Sequence, residues 1–307
     1  MLSRVANNLI WLDRYMERGS GILNLLKVNL SANQDSPELF SWTPIMKNFT
    51  AFDNEYYTED AIECIDFMVF NTNNSNSIVN LVTKARENAR SVQEHISREL
   101  WLCVNNYYLF LTNKNLRKKL GEEDPVQFLE DLRKHHLIYN GTTDITQERG
   151  TSYYFMNVGK FLERVNLIAD FTSLKLTEIG NTSDSLEQSF YWKNLLLSIG
   201  GYQLYLKKHK STFNEEHVIS MVFQDDLFPR SVFYCVNKLS RHIDRLIETN
   251  ELEKNNLDFL IGKLESSIKY TTIENINSQG LNNFINGIKE DISNISSNIN
   301  AVYNSNN

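Results

Sequence analysis

The chain carries the stretch RYMER at residues 14–18 and the related stretch KFLER at residues 160–164, 146 positions later. In both stretches a basic residue stands three positions before the Glu of a Glu-Arg pair, and apolar residues surround the pair at helical spacing. Self-similarity within a chain is typical of folds built from repeated units. The two stretches therefore predict that one helical unit occurs twice.

Two further matches follow in the same order along the chain. The pattern F-x-W-x-x-I-M at residues 40–46 returns as F-x-W-x-x-L-L at residues 190–196, 150 positions later. The segment MVFN at residues 68–71 returns as VFQD at residues 222–225, 154 positions later. The offset grows by four from each match to the next, as small loop insertions would produce. Three matches in series indicate an internal duplication.

These matches place repeat 1 at about residues 1–112 and repeat 2 at about residues 146–250. A connector at residues 113–145 joins the repeats, and C-terminal helices follow at residues 251–303. Similar units usually bury matched faces together, as in a two-fold dimer. We therefore expect the repeats to pack about a pseudo-two-fold axis within a single domain that spans residues 1–307.

Apolar residues recur every three or four positions through most of the chain, which is the pattern of amphipathic helices. Residues 77–111 contain neither Gly nor Pro and are predicted to form one long helix. No sustained strand alternation is visible, so we predict an all-α helical bundle. Residues 112–124 and the Asn-rich tail after about residue 303 are predicted to lack regular structure. Further helices are predicted at residues 2–26, 37–51, 58–70, 125–139, 183–209, 215–224, 231–249, 251–271 and 279–303.

Composition excludes several classes of protein. Only 12 glycines and 4 prolines occur among 307 residues, which argues against a turn-rich β-sandwich or barrel. The net charge of −7 provides no basic field for nucleic acid, and no targeting or membrane-spanning segment is visible. The odd, widely spaced set Cys64, Cys103 and Cys235 is typical of a reducing compartment. We predict a cytoplasmic protein without nucleic-acid or membrane partners, whose oligomeric state the sequence leaves open.

The Glu-Arg pairs are the first candidates for a functional site. Residues three apart share a helix face, and charges on a packed face are costly unless they are paired. An interhelical ion-pair network would fix the register of the helices, whereas a polar pocket would recognise a carboxylate, a phosphate or a partner chain; plain solvated surface is the third interpretation. The candidate network consists of Arg14, Glu17 and Arg18 in the first repeat and Lys160, Glu163 and Arg164 in the second.

Three more arginines extend this candidate network. Arg86 and Arg90 lie one helical turn apart, and like charges at that spacing are destabilising unless an anionic group separates them. Glu17, Glu163 or a bound anion is expected to do so. Arg230 stands near the predicted start of a helix in the second repeat. The simpler interpretation of these arginines is a capped helix with local ion pairs.

The sequence offers little support for metal or nucleotide chemistry. None of the six histidines stands in an E-x-x-H, H-x-x-x-H or H-E-x-x-H arrangement, so no metal site is predicted. His135 and His136 are predicted to end a basic helix, where cations complement the helix dipole. Glycine-rich phosphate loops and the G-x-S-x-G elbow are also missing from the sequence. We therefore predict no cofactor, and the balance of the sequence is against an enzyme.

The chain resembles the alpha-E domain proteins, a bacterial family named for its helices and its Glu-Arg motif. The resemblance lies in MLSRVANNLIWLDRYMERGSGILNLL at residues 1–26, ARENARSV at 85–92, GTTD at 141–144 before KFLER, and FPRSV at 228–232. Departures from the family pattern are Asp13 in place of a usual Gly, Gly-Ser-Gly at residues 19–21 in place of Ala-Glu-Asn, and Thr-Ser at residues 151–152 where Gly-Trp is common.

The resemblance implies a role beside an ATP-grasp-type amide ligase and a transglutaminase-like protease, in a bacterial peptide synthesis or modification system. The leading hypothesis is a non-catalytic helical scaffold or docking component of that system. The alternatives are an enzyme or peptide-binding protein with a Glu/Arg site between the repeats, and a purely structural oligomerising bundle. In the enzyme alternative, Glu17 or Glu163 acts as acid or base while Arg18, Arg164 and Arg90 hold a substrate carboxylate.

Overall fold

A computed structural model describes residues 1–50, 57–180, 182, 184–210, 213–252 and 255–304. Fifteen α-helices and two short 3-10 turns make up the regular structure of this part of the chain, and no strand occurs in it. The prediction of an all-α fold is therefore confirmed. Among the helices so described, none is both long and apolar enough to cross a membrane.

The chain divides into two compact units. The first unit comprises Asn8–Tyr153, and the second comprises Met1–Asn7 together with Tyr154–Asn307. Helix α1 enters the first unit at Asn8, and helix α8 belongs to the second unit from Tyr154 onward.

In the first unit, α4 packs against α3 and α5, α5 packs against α7, and the short α6 packs against α3 and α7. The 3-10 turns Pro37–Leu39 and Gln93–His95 precede α2 and α5. Residues 113–145, predicted as a connector, form α6 and most of α7 inside this unit. The helices are α1 (Ser3–Asp35), α2 (Thr43–Phe49), α3 (Ala61–Phe70), α4 (Ile78–Ser91), α5 (Arg98–Leu111), α6 (Leu116–Glu122) and α7 (Pro125–Thr146).

The second unit has the same packing order among its last five helices. Helix α12 packs against α11 and α13, α13 packs against α15, and the short α14 packs against α11 and α15. The helices are α8 (Thr151–Ile179), α9 (Ser185–Ser198), α10 (Tyr202–His209), α11 (Glu215–Gln224), α12 (Val232–Glu248), α13 (Asn255–Tyr270), α14 (Ile273–Gln279) and α15 (Leu281–Asn304).

The prediction of one long helix over residues 77–111 is wrong. The chain leaves α4 after Ser91, forms a 3-10 turn and starts α5 at Arg98. The break needs neither Gly nor Pro, because the Ser97 side chain accepts a hydrogen bond from the Leu100 N–H and caps α5. The amide side chain of Gln147 holds the turn by accepting from the Ser97 N–H at 2.9 Å and donating to the His95 carbonyl at 3.0 Å.

Other predicted boundaries also differ from the structure. The segment predicted as one helix at residues 183–209 contains two helices, α9 and α10, because the chain turns at Gly200, whose φ of 73° lies in the left-handed region that glycine adopts readily. Gly201 follows in close contact with the Phe228 ring, since a Cβ there would stand 2.9 Å from that ring. The segment predicted to be irregular at residues 112–124 contains α6, and residues 305–307 of the tail lie outside the described residues.

Candidate functional site

The first Glu-Arg pair lies on the buried side of α1. Glu17 is only 4% exposed, and Arg18 beside it is half-buried. The Arg18 Nη1 donates to the Asn76 Oδ1 at 3.1 Å, in the loop that precedes α4. Ser77, the next residue, caps α4 by accepting from the Asn80 N–H. Arg18 therefore joins α1 to the start of α4.

The second Glu-Arg pair makes the equivalent connection inside the second unit. Glu163 is 2% exposed on α8, and the Arg164 Nη1 donates to the Pro229 carbonyl at 3.3 Å. Pro229 lies in the loop before α12, which Ser231 caps by accepting from the Tyr234 N–H. In each unit a buried glutamate is thus followed by an arginine that reaches the loop before a serine-capped helix.

The other predicted residues lie around these pairs. Arg14 places its guanidinium 4.4 Å from the centre of the Trp11 ring. Lys160 influences His242: burial, together with the charges of Lys238 and Lys160, lowers the pKa of His242 to about 4. Arg230 is half-buried in the loop before α12.

Arg86 and Arg90 face Glu87 on α4. The Arg86 Nε donates to the Asn105 Oδ1 on α5 at 2.9 Å, and its Nη1 lies 2.9 Å from the Glu87 Oε1. Arg90 is largely exposed, with its Nη1 3.8 Å from the other Glu87 oxygen. Glu87 therefore supplies the negative charge that the sequence analysis assigned to Glu17, Glu163 or a bound anion.

A buried polar cluster that was not predicted from the sequence lies where α1, α5 and α7 meet. The Tyr107 hydroxyl lies 3.1 Å from the His136 Nε2, and the Tyr139 hydroxyl donates to the Asp13 Oδ1. Glu17 lies close enough to influence the titration of His136. We call Asp13, Glu17, Tyr107, His136 and Tyr139 the polar cluster.

Burial dominates the electrostatics of this cluster. It lowers the pKa of His136 to about 3, although the Glu17 carboxylate acts in the opposite direction. It also raises the pKa of Tyr107 and of Tyr139 well above the usual range, with the Asp13 charge adding to the effect on Tyr139. His136 is therefore neutral near pH 7, and both tyrosines keep their protons.

His136 fits because Gly19 leaves room for its ring. A Cβ at Gly19 would stand 2.9 Å from the His136 Cε1, which is too close for a packed contact. The His136 Nδ1 is buried and has no hydrogen-bond partner among the described residues. The Gly at position 19, a departure from the family pattern, is thus explained by the neighbouring histidine.

The polar cluster approaches the surface through His135. The His135 ring stacks on Tyr107 with ring centres 4.6 Å apart and 6° between the planes, and it also contacts Phe110. His135, Phe110 and Ile138 line a surface cavity of about 300 Å³. The prediction that His135 and His136 end a helix is wrong, because α7 continues to Thr146 and places both in its interior.

If the chain is numbered by the predicted repeat, the second unit has apolar residues at the positions of the polar cluster. The buried face of α7 matches that of α15 at an offset of 156, and the buried face of α5 matches that of α13 at an offset of 157. At these offsets Phe128 and Leu132 correspond to Phe284 and Ile288. The polar residues Tyr107, His136, Tyr139 and Thr143 correspond to Leu264, Ile292, Ile295 and Ile299, and Asp13 corresponds to Gly159 at the RYMER offset of 146.

The sequence carries a signal for this cluster on α7. His136, Tyr139 and Thr143 are spaced three and four apart, which is the pattern of one helix face. Ending the predicted helix at residue 139 hid that pattern. In the described part of the chain, no group of three or more His, Cys, Asp or Glu side chains is placed to bind a metal ion.

Comparison with known proteins gives one result. A family model described as "a predicted alpha-helical domain with a conserved ER motif" matches residues 1–303. No curated protein and no solved structure matches the chain. The two Glu-Arg pairs on α1 and α8 agree with the motif in that description. The chain belongs to the Alpha-E family.

Proposed function

We propose that this protein is a cytoplasmic, non-catalytic docking component of a bacterial peptide synthesis or modification system that includes an ATP-grasp-type amide ligase and a transglutaminase-like protease. The resemblance to the alpha-E proteins motivates the choice of system. The observation that supports a docking role is an exposed apolar surface on the α5–α7 pair of the first unit.

Helices α5 and α7 run antiparallel. The Ser97 hydroxyl at the start of α5 lies 2.6 Å from the Thr146 hydroxyl at the end of α7, and Phe110 at the other end contacts His135. One side of each helix is exposed, as Leu102 and Leu109 on α5 and Ile138 and Ile145 on α7 show. We call this surface the α5–α7 face.

Large apolar side chains are exposed along the α5–α7 face. Leu102 and Leu109 lie two turns apart on α5, and Ile138 and Ile145 lie two turns apart on α7. These four side chains and Leu137 are each between 42% and 84% exposed. The exposed apolar area of the five is that of about three fully exposed side chains. Single exposed apolar residues are normal, but five of them on one helix pair make this surface the candidate for an interaction.

We also infer that the chain arose by duplication of a helical unit, and that the repeats are longer than the sequence landmarks indicated. Support comes from the matched buried positions of α5 with α13 and of α7 with α15, which extend the series of offsets from 146 to 157. On this inference the predicted connector corresponds to the C-terminal helices. The pseudo-two-fold relation of the copies remains a proposal from the sequence repeat.

Lysines on the α5–α7 face are expected to abolish docking without unfolding the protein. The variant Leu109→Lys with Ile138→Lys changes two exposed positions, so its folding should be unaffected, while recovery of the ligase or the protease from the native host should fall at least tenfold, as for loss of an interface anchor. Affinity purification with identification of the two enzymes by mass spectrometry measures this.

The control introduces two lysines at exposed leucines of the second unit, Leu186→Lys with Leu227→Lys. It should recover both enzymes as the unmodified protein does. Recovery of neither enzyme by the unmodified protein contradicts the proposal. If that protein is instead a stable homo-oligomer that the α5–α7 variant dissociates, the face is a self-association surface and the purely structural alternative holds.

A second candidate function rests on the buried glutamates. Glu17 and Glu163 are each buried and each followed by an arginine in the chain, and carboxylates and guanidinium groups suit recognition of a peptide or acid–base chemistry. On this alternative the double variant Glu17→Gln with Glu163→Gln keeps its fold and loses the peptide product of the system by at least tenfold.

Circular dichroism during urea unfolding, together with product analysis in the host, distinguishes this candidate from a structural network. A loss of about 3 kcal/mol or more in the free energy of unfolding identifies the glutamates as parts of a buried ion-pair network instead. Wild-type stability combined with wild-type product levels removes the candidate altogether.

A further inference from the structure

His136 occupies a position at which the same packing accepts an isoleucine. Its counterpart on α15 is Ile292, and the counterpart of its partner Tyr107 is Leu264. Both counterparts are fully buried, and their helices α13 and α15 pack against each other as α5 and α7 do. The packing of this fold therefore does not require an imidazole here.

The imidazole is also an unfavourable choice for stability alone. His136 is 1% exposed, its Nε2 contacts the Tyr107 hydroxyl, and its Nδ1 has no partner among the described residues. In either neutral tautomer one ring nitrogen is buried without a hydrogen bond, which is costly compared with a hydrocarbon side chain. Protonation adds a charge to this buried ring, and the Met16 backbone and the Glu17 carboxylate do not offset the cost of burying that charge.

We propose that His136 is an acid-responsive latch that holds α7 against α1 and α5 while it is neutral and releases α7 when it is protonated. The proposal extends the proposed docking function, because Leu137 and Ile138 of the α5–α7 face follow His136 directly on α7. Release of α7 would displace these side chains and weaken docking.

The groups around His136 determine the direction of the response. The titratable groups that face it are Glu17 from α1, Tyr107 from α5 and His135 from α7 itself. Among these titratable groups Glu17 favours the imidazolium, as does the Met16 backbone, and burial outweighs both. The Asp13 carboxylate in the same cluster accepts from Tyr139.

The direction of the pH effect on the stability of the closed state follows from proton linkage. With α7 in place the pKa of His136 is about 3, and with α7 released it returns to the ordinary value near 6.5. Below pH 6.5 the released state binds a proton that the closed state does not bind, so the closed state loses stability as the pH falls from about 6.5 toward 3. Above pH 6.5 the latch has no effect on the equilibrium.

Hydrogen exchange of the full-length protein at pH 7.5 and pH 5.5, without any partner, tests the latch. After correction for the intrinsic exchange rate, the protection of amides in Pro125–Thr146 should fall about tenfold at the lower pH, since pH 5.5 lies one unit below the released-state pKa. In His136→Ile, which carries the residue found at the α15 position, the fall should be less than twofold. An equal fall in both proteins overturns the proposal.

His242 provides the internal control, since burial lowers its pKa to about 4 in the second unit as well. The loss of amide protection that His242 causes in the second unit at the lower pH should persist in His136→Ile. If that variant does not fold, imidazole NMR of the unmodified protein decides: a protonated His136 in the folded protein at pH 5.5 contradicts the latch, and a neutral one supports it. Because no partner is present, these outcomes are separate from those of the docking test.

Discussion

Replacing Trp42 with alanine is expected to lower the free energy of unfolding of the first unit by about 3–5 kcal/mol, the usual cost of truncating a buried tryptophan. Trp42 is fully buried and contacts the edge of the Phe40 ring with ring centres 5.1 Å apart. Its backbone N–H donates to the Glu59 carboxylate at 2.7 Å, which fixes the start of α2. Urea unfolding followed by circular dichroism measures the loss.

The matched control is Trp42→Phe. It keeps most of the buried aromatic area and removes the indole Nε1, which has no hydrogen-bond partner among the described residues. We therefore expect this variant to lose no more than about 1.5 kcal/mol, as for other conservative core changes. Equal losses for Ala and Phe would show that the site tolerates no change of shape, in contradiction to this account.

The same substitution at Trp192 tests the duplication. Trp192 stands at the position that matches Trp42 in the sequence repeat and is 3% exposed in α9. If the repeats correspond, Trp192→Ala should lower the stability of the second unit by a similar amount. A loss of less than about 1 kcal/mol in the free energy of unfolding for Trp192→Ala would show that the two tryptophans do not have equivalent structural roles.

Replacing Tyr139 with phenylalanine is expected to destabilise the first unit by about 2–3 kcal/mol, because the buried Asp13 carboxylate loses a charge-assisted hydrogen bond. Both side chains are almost fully buried, so water does not replace the lost hydroxyl. The effect should be larger than that of an exposed hydroxyl deletion, which is usually within about 0.5 kcal/mol.

A double-mutant cycle identifies the cause. Asp13→Ala alone removes the acceptor and leaves the Tyr139 hydroxyl without this partner, whereas the double variant removes both polar groups. The double variant should therefore lose at least about 1.5 kcal/mol less than the sum of the single losses. Additive losses would mean that the two side chains contribute independently and that the cluster is not a unit.

The all-α fold and the family were predictable from local information. Helical periodicity is a property of neighbouring residues, and the Glu-Arg stretches are contiguous in the chain. Helix ends were predicted less well. The break at Ser97 depends on Gln147, 50 positions away in the chain, whose amide closes the turn. A local scan for Gly and Pro detects no such contact.

The candidate site was predictable only in part. The sequence predicted that Glu17 and Glu163 lie on packed faces, and both are buried. It assigned the partners of Arg86 incorrectly, because Glu87, the neighbouring residue, satisfies it. The acid-sensitive character of His136 was not visible either, since burial by residues of other helices causes it.

By itself, the sequence determined the all-helical class, the family and the repetition of the Glu-Arg pair, because each is encoded by short-range periodicity or by contiguous residues. Only the tertiary structure decided that Asp13, Tyr107 and His136, from three helices, form one buried polar cluster. Those residues are up to 123 positions apart, and a hydrogen bond between distant side chains is set by how the helices pack. The same packing removes water from His136 and thereby sets its protonation state.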